Sequence, residues 1–271
     1  MDSAPAPLAA EIGYAVDTGV KPVNETLAAG AAIRRHTGAF ERRVMPIHDA
    51  RRLADPPRLD REGFTLVPHA TAVADFLDAG ELERVYYPEF VALVRAVTGA
   101  SRVHVFDHTL RTGDDAERAA RNIREPVLWA HNDYTEWSGP QRLREMLPEE
   151  AEALLARRFA IVQVWRAIDR PIVANPLAIV DARTVAPGDL LRAERRYPHR
   201  VGETYQLLHN PAHRWYHYPG MRRDEALVFK TYDSATDGRA RFVPHTSFDD
   251  PSAPAGAPPR RSIEVRGFAF F

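Results

Sequence analysis

Short, mainly apolar runs that an extended chain would divide between two faces recur through the second half of the chain. In the segment Phe159–Ile168, Ile161, Gln163 and Trp165 fall on one face of an extended chain, and Val162, Val164 and Arg166 on the other. Ser101–Thr112 repeats the pattern, with Val103 and Val105 set against His104, Phe106 and His108. Shorter strands are predicted at Gly63–Val67, Pro176–Val180 and Thr204–Leu208, and longer ones at Asp224–Asp233 and Arg260–Phe271. Helical periodicity is confined to a few stretches. Thr71–Ala79 predicts a helix stopped by Gly80. Glu81–Thr98 predicts another, with Leu82, Val85, Phe90, Leu93, Val94 and Val97 on its buried side and Pro88 either starting or breaking it. Ser138-Gly139-Pro140 reads as a breaker before a charged helix at Gln141–Arg158. Asp189–Pro198 reads as a basic helix whose Arg192, Arg195 and Arg196 form a solvated face. Thr112–Arg124 is charged enough for a solvated loop or short helix, and residues 1–30, rich in Ala and Pro, for a loose arm. Many strands and few helices predict one mainly β domain with flanking helices over residues 1–271.

Composition narrows the partners more than the fold. With 36 basic and 37 acidic side chains the formal net charge is −1, so nothing in the balance favours a nucleic-acid backbone. The chain has no cysteine, which removes disulfides, zinc–thiolate sites and iron–sulfur clusters together and fits a cytoplasmic protein. No stretch approaches the ~18 apolar residues of a membrane span, and no basic segment followed by an apolar one marks a secretory leader. Nothing in the sequence specifies an oligomeric state.

The candidate chemistry centres on His131-Asn132-Asp133. In an extended strand residues two apart share a face, so the imidazole and the carboxylate can point at one spot. Two His and one carboxylate on one face bind a first-row metal and leave positions open for other ligands. Tyr134 and Trp137 follow directly, either as pocket walls or as packing. Downstream histidines that could complete the set are His209, His213 and His245, with Trp215 and Tyr216 beside His213 as a candidate substrate-facing wall. His108 has Phe106 and Leu110 at spacing two and no carboxylate, which suits a pocket-lining group better than a ligand. Arg166, in the middle of an apolar strand, must meet an anion or water, because burying it bare is costly.

These features occur in an order that resembles the double-stranded β-helix (jelly-roll, cupin-like) of the iron(II)/2-oxoglutarate dioxygenases. An H-x-D lies on an early strand, a distal His follows an apolar strand, and an Arg with a Ser two residues on opens the last strand. Here these are His131 and Asp133, His245 after Asp224–Asp233, and Arg260 with Ser262. The runs His131–Thr135, Val164–Arg166, Asn175–Asp181, His213–Tyr216, Phe229–Ser234, Pro244–Phe248 and Arg260–Arg266 narrow the likeness. Together they are similar to the family of the fungal aspergillic-acid hydroxylase/desaturase and the actinobacterial protein associated with cephalosporin 7α-methoxylation.

The resemblance implies iron(II) held by His131, Asp133 and His245, with His213 or His209 as alternatives for the third ligand. It implies 2-oxoglutarate as co-substrate on Arg260 and Ser262, with Arg166 and Arg266 as further candidates, and oxygenation of a small, partly apolar molecule of secondary metabolism. Where the family usually has an acidic residue between the Arg and the Ser, this chain has Arg261, which leaves open which Arg meets the co-substrate. Two other readings stand beside this one. A cupin-like metalloprotein would use the same barrel without 2-oxoglutarate, and a non-catalytic accessory subunit would present an intermediate to a partner.

Overall fold

The computed structural model describes residues 6–26 and 34–271. Its strands are β1 (Leu8–Val16), β2 (Val23–Thr26), β3 (Arg34–His36), β4 (Ala39–Asp49), β5 (Phe64–Pro68), β6 (Arg102–Thr112), β7 (His131–Asn132), β8 (Phe159–Ala167), β9 (Leu177–Val180), β10 (Leu190–Tyr197), β11 (Arg200–Leu207), β12 (Trp215–His217), β13 (Glu225–Asp233), β14 (His245–Ser247) and β15 (Arg261–Phe270). Two sheets face each other. The smaller runs β5-β13-β8-β15-β6 and is antiparallel throughout. The larger runs β1-β4-β12-β9-β14-β7-β11-β10-β2-β3. Bridges from Gly13 to Trp129 and from Ala15 to Leu208 bring β1 back against the middle of that sheet, so it curls into the wall of a double-stranded β-helix.

Alternation along β8 shows why the small sheet sits where it does. Val162 and Val164 pack outward with Ile263 and Val265 of β15 against Tyr86, Phe90 and Val94. These three belong to a helical segment that runs from Ala79 through a π-helical turn at Leu82–Tyr86 into Tyr87–Thr98. Trp165 points the other way, into an inner cluster with Leu227, Phe229, Ile179 and Tyr216. With both faces covered, all nine residues of β8 and all nine of β13 are buried. Gly267 makes one close approach possible: a Cβ there would lie 2.6 Å from the Phe90 ring and 3.0 Å from the His104 carbonyl.

Several expectations need correction. Asp189–Pro198 contributes a strand, not a helix: β10 pairs with β11 along its length and with β2 at its far end. Pairing overrides the local reading, and Ala193 is buried while Arg192 and Arg196 are exposed, as a strand's alternation requires. Thr71–Asp78 forms turns and irregular chain in place of the expected Thr71–Ala79 helix, and helix starts only at Ala79. The carboxylates of Glu89 and Glu81 accept from the backbone N–H groups of Ala72, Ala74 and Asp75, and Asp75 accepts from Leu77. Such side-chain bonds compete with a helical ladder. The charged helix after residue 140 is two helices, Ser138–Met146 and Ala151–Leu155, separated at Pro148, and Ser138-Gly139-Pro140 starts the first. Within the expected N-terminal arm, residues 6–26 carry β1 and β2 and are woven into the large sheet; residues 1–5 and 27–30 lie outside the described residues. No helix among the described residues is long and apolar enough to cross a membrane.

Candidate metal centre and its cavities

The large sheet builds the centre by register. His131 of β7 pairs with His245 of β14, so both imidazoles rise from neighbouring strands onto one face, with ring centroids 4.7 Å apart. Asp133, two residues after His131, joins them, and one ligand atom from each of the three residues lies within 4.8 Å of the others. Each imidazole donates its Nδ1–H to a backbone carbonyl: His131 to Trp129 at 2.9 Å and His245 to Val243 at 3.1 Å. A carbonyl only accepts, so this fixes the tautomer and leaves the Nε2 lone pair free on both rings. Burial, then the proximity of His245, lowers the pKa of His131 to about 4, and burial lowers that of His245. Both rings are therefore neutral at pH 7 and able to ligate. Burial alone would raise the pKa of Asp133, but Arg266 and the two imidazoles hold it well below the carboxylate range. Two neutral imidazoles and one carboxylate, with water-accessible space in front, fit a mononuclear iron(II) site.

The last strand lines the opposite wall. Arg260, immediately before β15, and Ser262, Glu264 and Arg266 within it share the inward face, where Ser262, Glu264 and Arg266 pair with Arg111, Thr109 and Asp107 of β6. Arg266 Nε donates to Asp133 Oδ2 at 2.8 Å, its Nη2 to Glu264 Oε1 at 2.6 Å, and its Nη1 to Thr109 Oγ1 at 3.3 Å. Arg111 donates to the same Glu264 oxygen at 2.8 Å, and Gln163 to the other at 3.2 Å. Arg266 is thus turned to the metal-site carboxylate rather than to Arg260. Arg261 is turned out of the barrel and ion-paired with Glu117 and Asp169, so the extra charge beside Arg260 does not enter the site.

Arg260 stands differently from every other buried Arg of this wall. Only 2% exposed, it donates Nη1 to the Asn175 carbonyl at 2.9 Å and to Ser247 Oγ at 3.0 Å. It makes no ion pair among the described residues, and its Nε is without a partner. Its guanidinium sits over Trp165, and burial, with Arg111 adding repulsion, lowers its pKa to about 9. Ser262 Oγ, fully buried, also has no partner. A small cavity joins Arg260 and Ser247 to His131 and His245.

A larger cavity of about 560 Å³ opens in front of His131 and Asp133. On one side Phe40 stacks on Trp129 with centroids 4.2 Å apart, and His36 stacks on Phe40 at 4.5 Å. Thr204 and Gln206 of β11 line the other side. Gln206 pairs with His131 in register and therefore shares its face, and its buried Oε1 has no partner. A second, narrower groove passes Asp133, Arg266, Tyr134 and Trp137.

Of the residues singled out in the sequence, the structure brings together His131, Asp133, His245, Arg260, Ser262 and Arg266, with Tyr134 and Trp137 at the groove beside them. It does not bring in the others. Arg166 pairs with Ile263, on the outward register, and its Nη2 donates to the His69 carbonyl at 3.0 Å with Tyr86 beneath it. His108 pairs with Val265, also outward, and meets the Tyr87 hydroxyl at 2.6 Å. His213 is fixed by Asp189 at 3.1 Å, Trp215 donates to the Tyr14 hydroxyl at 2.7 Å, and His209 packs edge-on to Tyr14, all under β1 and outside the metal-binding group. Glu264, Arg111 and Gln206 escaped the sequence reading. Glu264 had a signal, since an acidic residue shares the inward period of two with Arg260 and Arg266. Phe40 and Gln206 had none, because only tertiary pairing places them.

Two imidazoles and a carboxylate facing one point inside a double-stranded β-helix form a group that could hold a mononuclear metal ion, the donor set of non-haem iron oxygenases. Comparison with known proteins agrees. Residues 12–270 match the family model described as "Oxidoreductase/YMDC permease-like domain". The chain is 34% identical over 254 residues to "Hydroxylase/desaturase CTB9" of Cercospora beticola, covering 86% of this chain and 78% of that protein. It is 34% identical over 235 residues to "Fe(II)/2-oxoglutarate-dependent dioxygenase nvfI" of Aspergillus novofumigatus, covering 82% and 81%. The structure of the "iron and alpha-ketoglutarate-dependent endoperoxidase NvfI" superposes with a TM-score of 0.85 at 28% identity, covering 97% of both chains. The chain belongs to this oxidoreductase family, and the relatives it matches include proteins named as hydroxylase/desaturases and as an Fe(II)/2-oxoglutarate-dependent dioxygenase.

Proposed function

We propose that this chain oxidises an unactivated carbon of a small, partly apolar molecule, by hydroxylation or desaturation, with iron(II) on His131, Asp133 and His245 and 2-oxoglutarate on Arg260 and Ser262. The observation that carries the reading is Arg260: a buried guanidinium without a counter-ion, joined by one small cavity to both histidines of the metal-binding group. A planar guanidinium matches a carboxylate in two parallel hydrogen bonds, and Ser262 Oγ supplies a further donor. Bound iron(II), with 2-oxoglutarate and dioxygen, supplies the oxidising power for hydrogen removal as the co-substrate is split to succinate and carbon dioxide.

The chain's own residues set the stage for that chemistry. Trp129 and Val243 carbonyls hold the ligand rings in one tautomer. Trp165, under Arg260, walls the co-substrate end. The Phe40–Trp129 stack offers the substrate an apolar face, and the free Gln206 carbonyl offers its polar group an acceptor on the metal side of the cavity. We place the reaction in the cytoplasm, whose reducing conditions suit a ferrous site and a chain without cysteine. The test is succinate formation from 2-oxoglutarate in air with added iron(II) and no primary substrate. Formation by the wild type, lost in His131→Ala, supports the reading; equal rates with and without the ligands of the centre would refute it.

A further inference from the structure

The carboxylate of Asp133 is divided between two neighbours. Its Oδ1 lies 3.6 Å from Nε2 of His131, on the side of the free imidazole lone pairs, whereas its Oδ2 accepts from Arg266 Nε at 2.8 Å. Arg266 cannot readily turn away. It is 7% exposed, its Nη2 is held by Glu264, its Nη1 reaches Thr109 and, at 3.4 Å, Asp107, and Glu264 is itself clamped by Arg111 and Gln163. The local backbone is shaped for this. Arg266 pairs with Asp107 but Gly267 with Val105, so a bulge at Phe106 breaks the β6–β15 register beside the site. Arg111 also donates to the Glu125 carbonyl at 2.9 Å, which ties the cluster to the segment leading into β7.

From this arrangement we infer that Arg266, set by Glu264 and Arg111, is a positioning residue that keeps Asp133 a one-oxygen ligand. The inference rests on the metal assignment proposed above and adds a role that assignment does not require. A carboxylate can bind a metal through one oxygen or two. With Oδ2 engaged by a guanidinium whose two other nitrogens are hydrogen-bonded as well, only Oδ1 is free for the ion, and the position a second oxygen would fill stays open to an exchangeable ligand. The same bond fixes the rotation of the Asp133 side chain before metal arrives. Arg266 therefore acts on the number of open positions at the centre, in contrast to Arg260, which holds no carboxylate of this chain.

The test uses manganese(II) as the probe, in the purified full chain, with water-proton relaxation reporting exchangeable waters on the ion. In Arg266→Leu, Asp133 is expected to close onto the metal with both oxygens, so relaxivity per bound ion falls by about a third relative to wild type. Affinity for manganese(II) is expected to change by about 10- to 100-fold, the scale of lost support behind a metal ligand. Arg266→Lys keeps a cation for Oδ2 and is expected to restore most of the relaxivity, which a purely structural role would not produce. If Arg266→Leu does not fold, Glu264→Gln is read instead: it keeps the shape, loosens Arg266, and is expected to shift relaxivity in the same direction by less. Folded Arg266→Leu or Glu264→Gln with wild-type relaxivity and affinity would overturn the inference, as would a Lys variant no better than Leu. Wild-type protein that fails to bind manganese(II), or keeps binding it in His131→Ala, would instead overturn the metal assignment beneath it.

Discussion

Arg260 gives the most discriminating prediction, because stability and binding should respond to its loss in opposite ways. Burial lowers its pKa from 12.5 to about 9, a bias against the folded charged form of roughly 5 kcal/mol. Its hydrogen bonds to Asn175 and Ser247 return roughly 3–6 kcal/mol, as two bonds from a charged donor do. The charge is therefore close to neutral, or slightly unfavourable, in the protein without co-substrate. Arg260→Met keeps the apolar stem over Trp165 and removes the charge, so its melting temperature is expected within about 5 °C of wild type, on the more stable side. Binding should behave otherwise. Truncating one partner of a buried charge pair costs about 3–5 kcal/mol, or more than ~100-fold in affinity for 2-oxoglutarate. The assay is anaerobic thermal unfolding of the iron(II) form with and without 2-oxoglutarate. At a concentration of ~100 times the wild-type Kd, co-substrate adds about 2.7 kcal/mol, or roughly 5–10 °C for a chain of this size. In Arg260→Met that increment should drop to about 1 °C. A variant that keeps the full increment, or that melts far below wild type without co-substrate, refutes the reasoning.

Three further outcomes follow from the same geometry. Asp133→Asn leaves Arg266 and Glu264 without the carboxylate that completes their network, so urea unfolding should show a loss of about 3–5 kcal/mol even without metal. Acid should weaken the metal-free protein before its carboxylates titrate. The imidazole of His131 titrates near 6.5 when unfolded and near 4 when folded, so between those values the unfolded chain holds more protons and stability falls as pH falls. The full effect of this group is roughly 3 kcal/mol. A pH series of unfolding curves for wild type and His131→Asn checks it, the variant being flatter between pH ~6.5 and ~4. Gly267→Ala should cost about 1–3 kcal/mol in urea unfolding by forcing its Cβ onto the Phe90 ring and the His104 carbonyl.

The sequence carried the parts of the molecule that form apolar runs or bear rare chemistry. Strands β8, β13 and β15 were legible as apolar runs of strand length bounded by charged or turn residues. The H-x-D, the distal His and the Arg-x-Ser were legible as an ordered set. What escaped depends on contacts between distant segments. Leu190–Tyr197 has the basic composition of a solvated helix and becomes a strand only because β11 and β2 flank it. Thr71–Ala79 has a helical look that its own acidic neighbours undo by taking its N–H groups. Among the Arg residues, charge could not distinguish roles; register did. Arg166 and Arg261 face out, Arg266 meets Asp133, and Arg260 alone of the four lacks an anion or imidazole to hold it.

The central claim, that His131, Asp133, His245 and Arg260 form one iron and 2-oxoglutarate site, is tested most directly by anaerobic titration of the metal-free protein with iron(II) and then 2-oxoglutarate. A weak visible charge-transfer band should appear only when both are present, vanish in His131→Ala and His245→Ala, and require far more co-substrate in Arg260→Met. A wild-type protein that binds iron(II) but never develops the band, or a band that persists in both histidine variants, would contradict it.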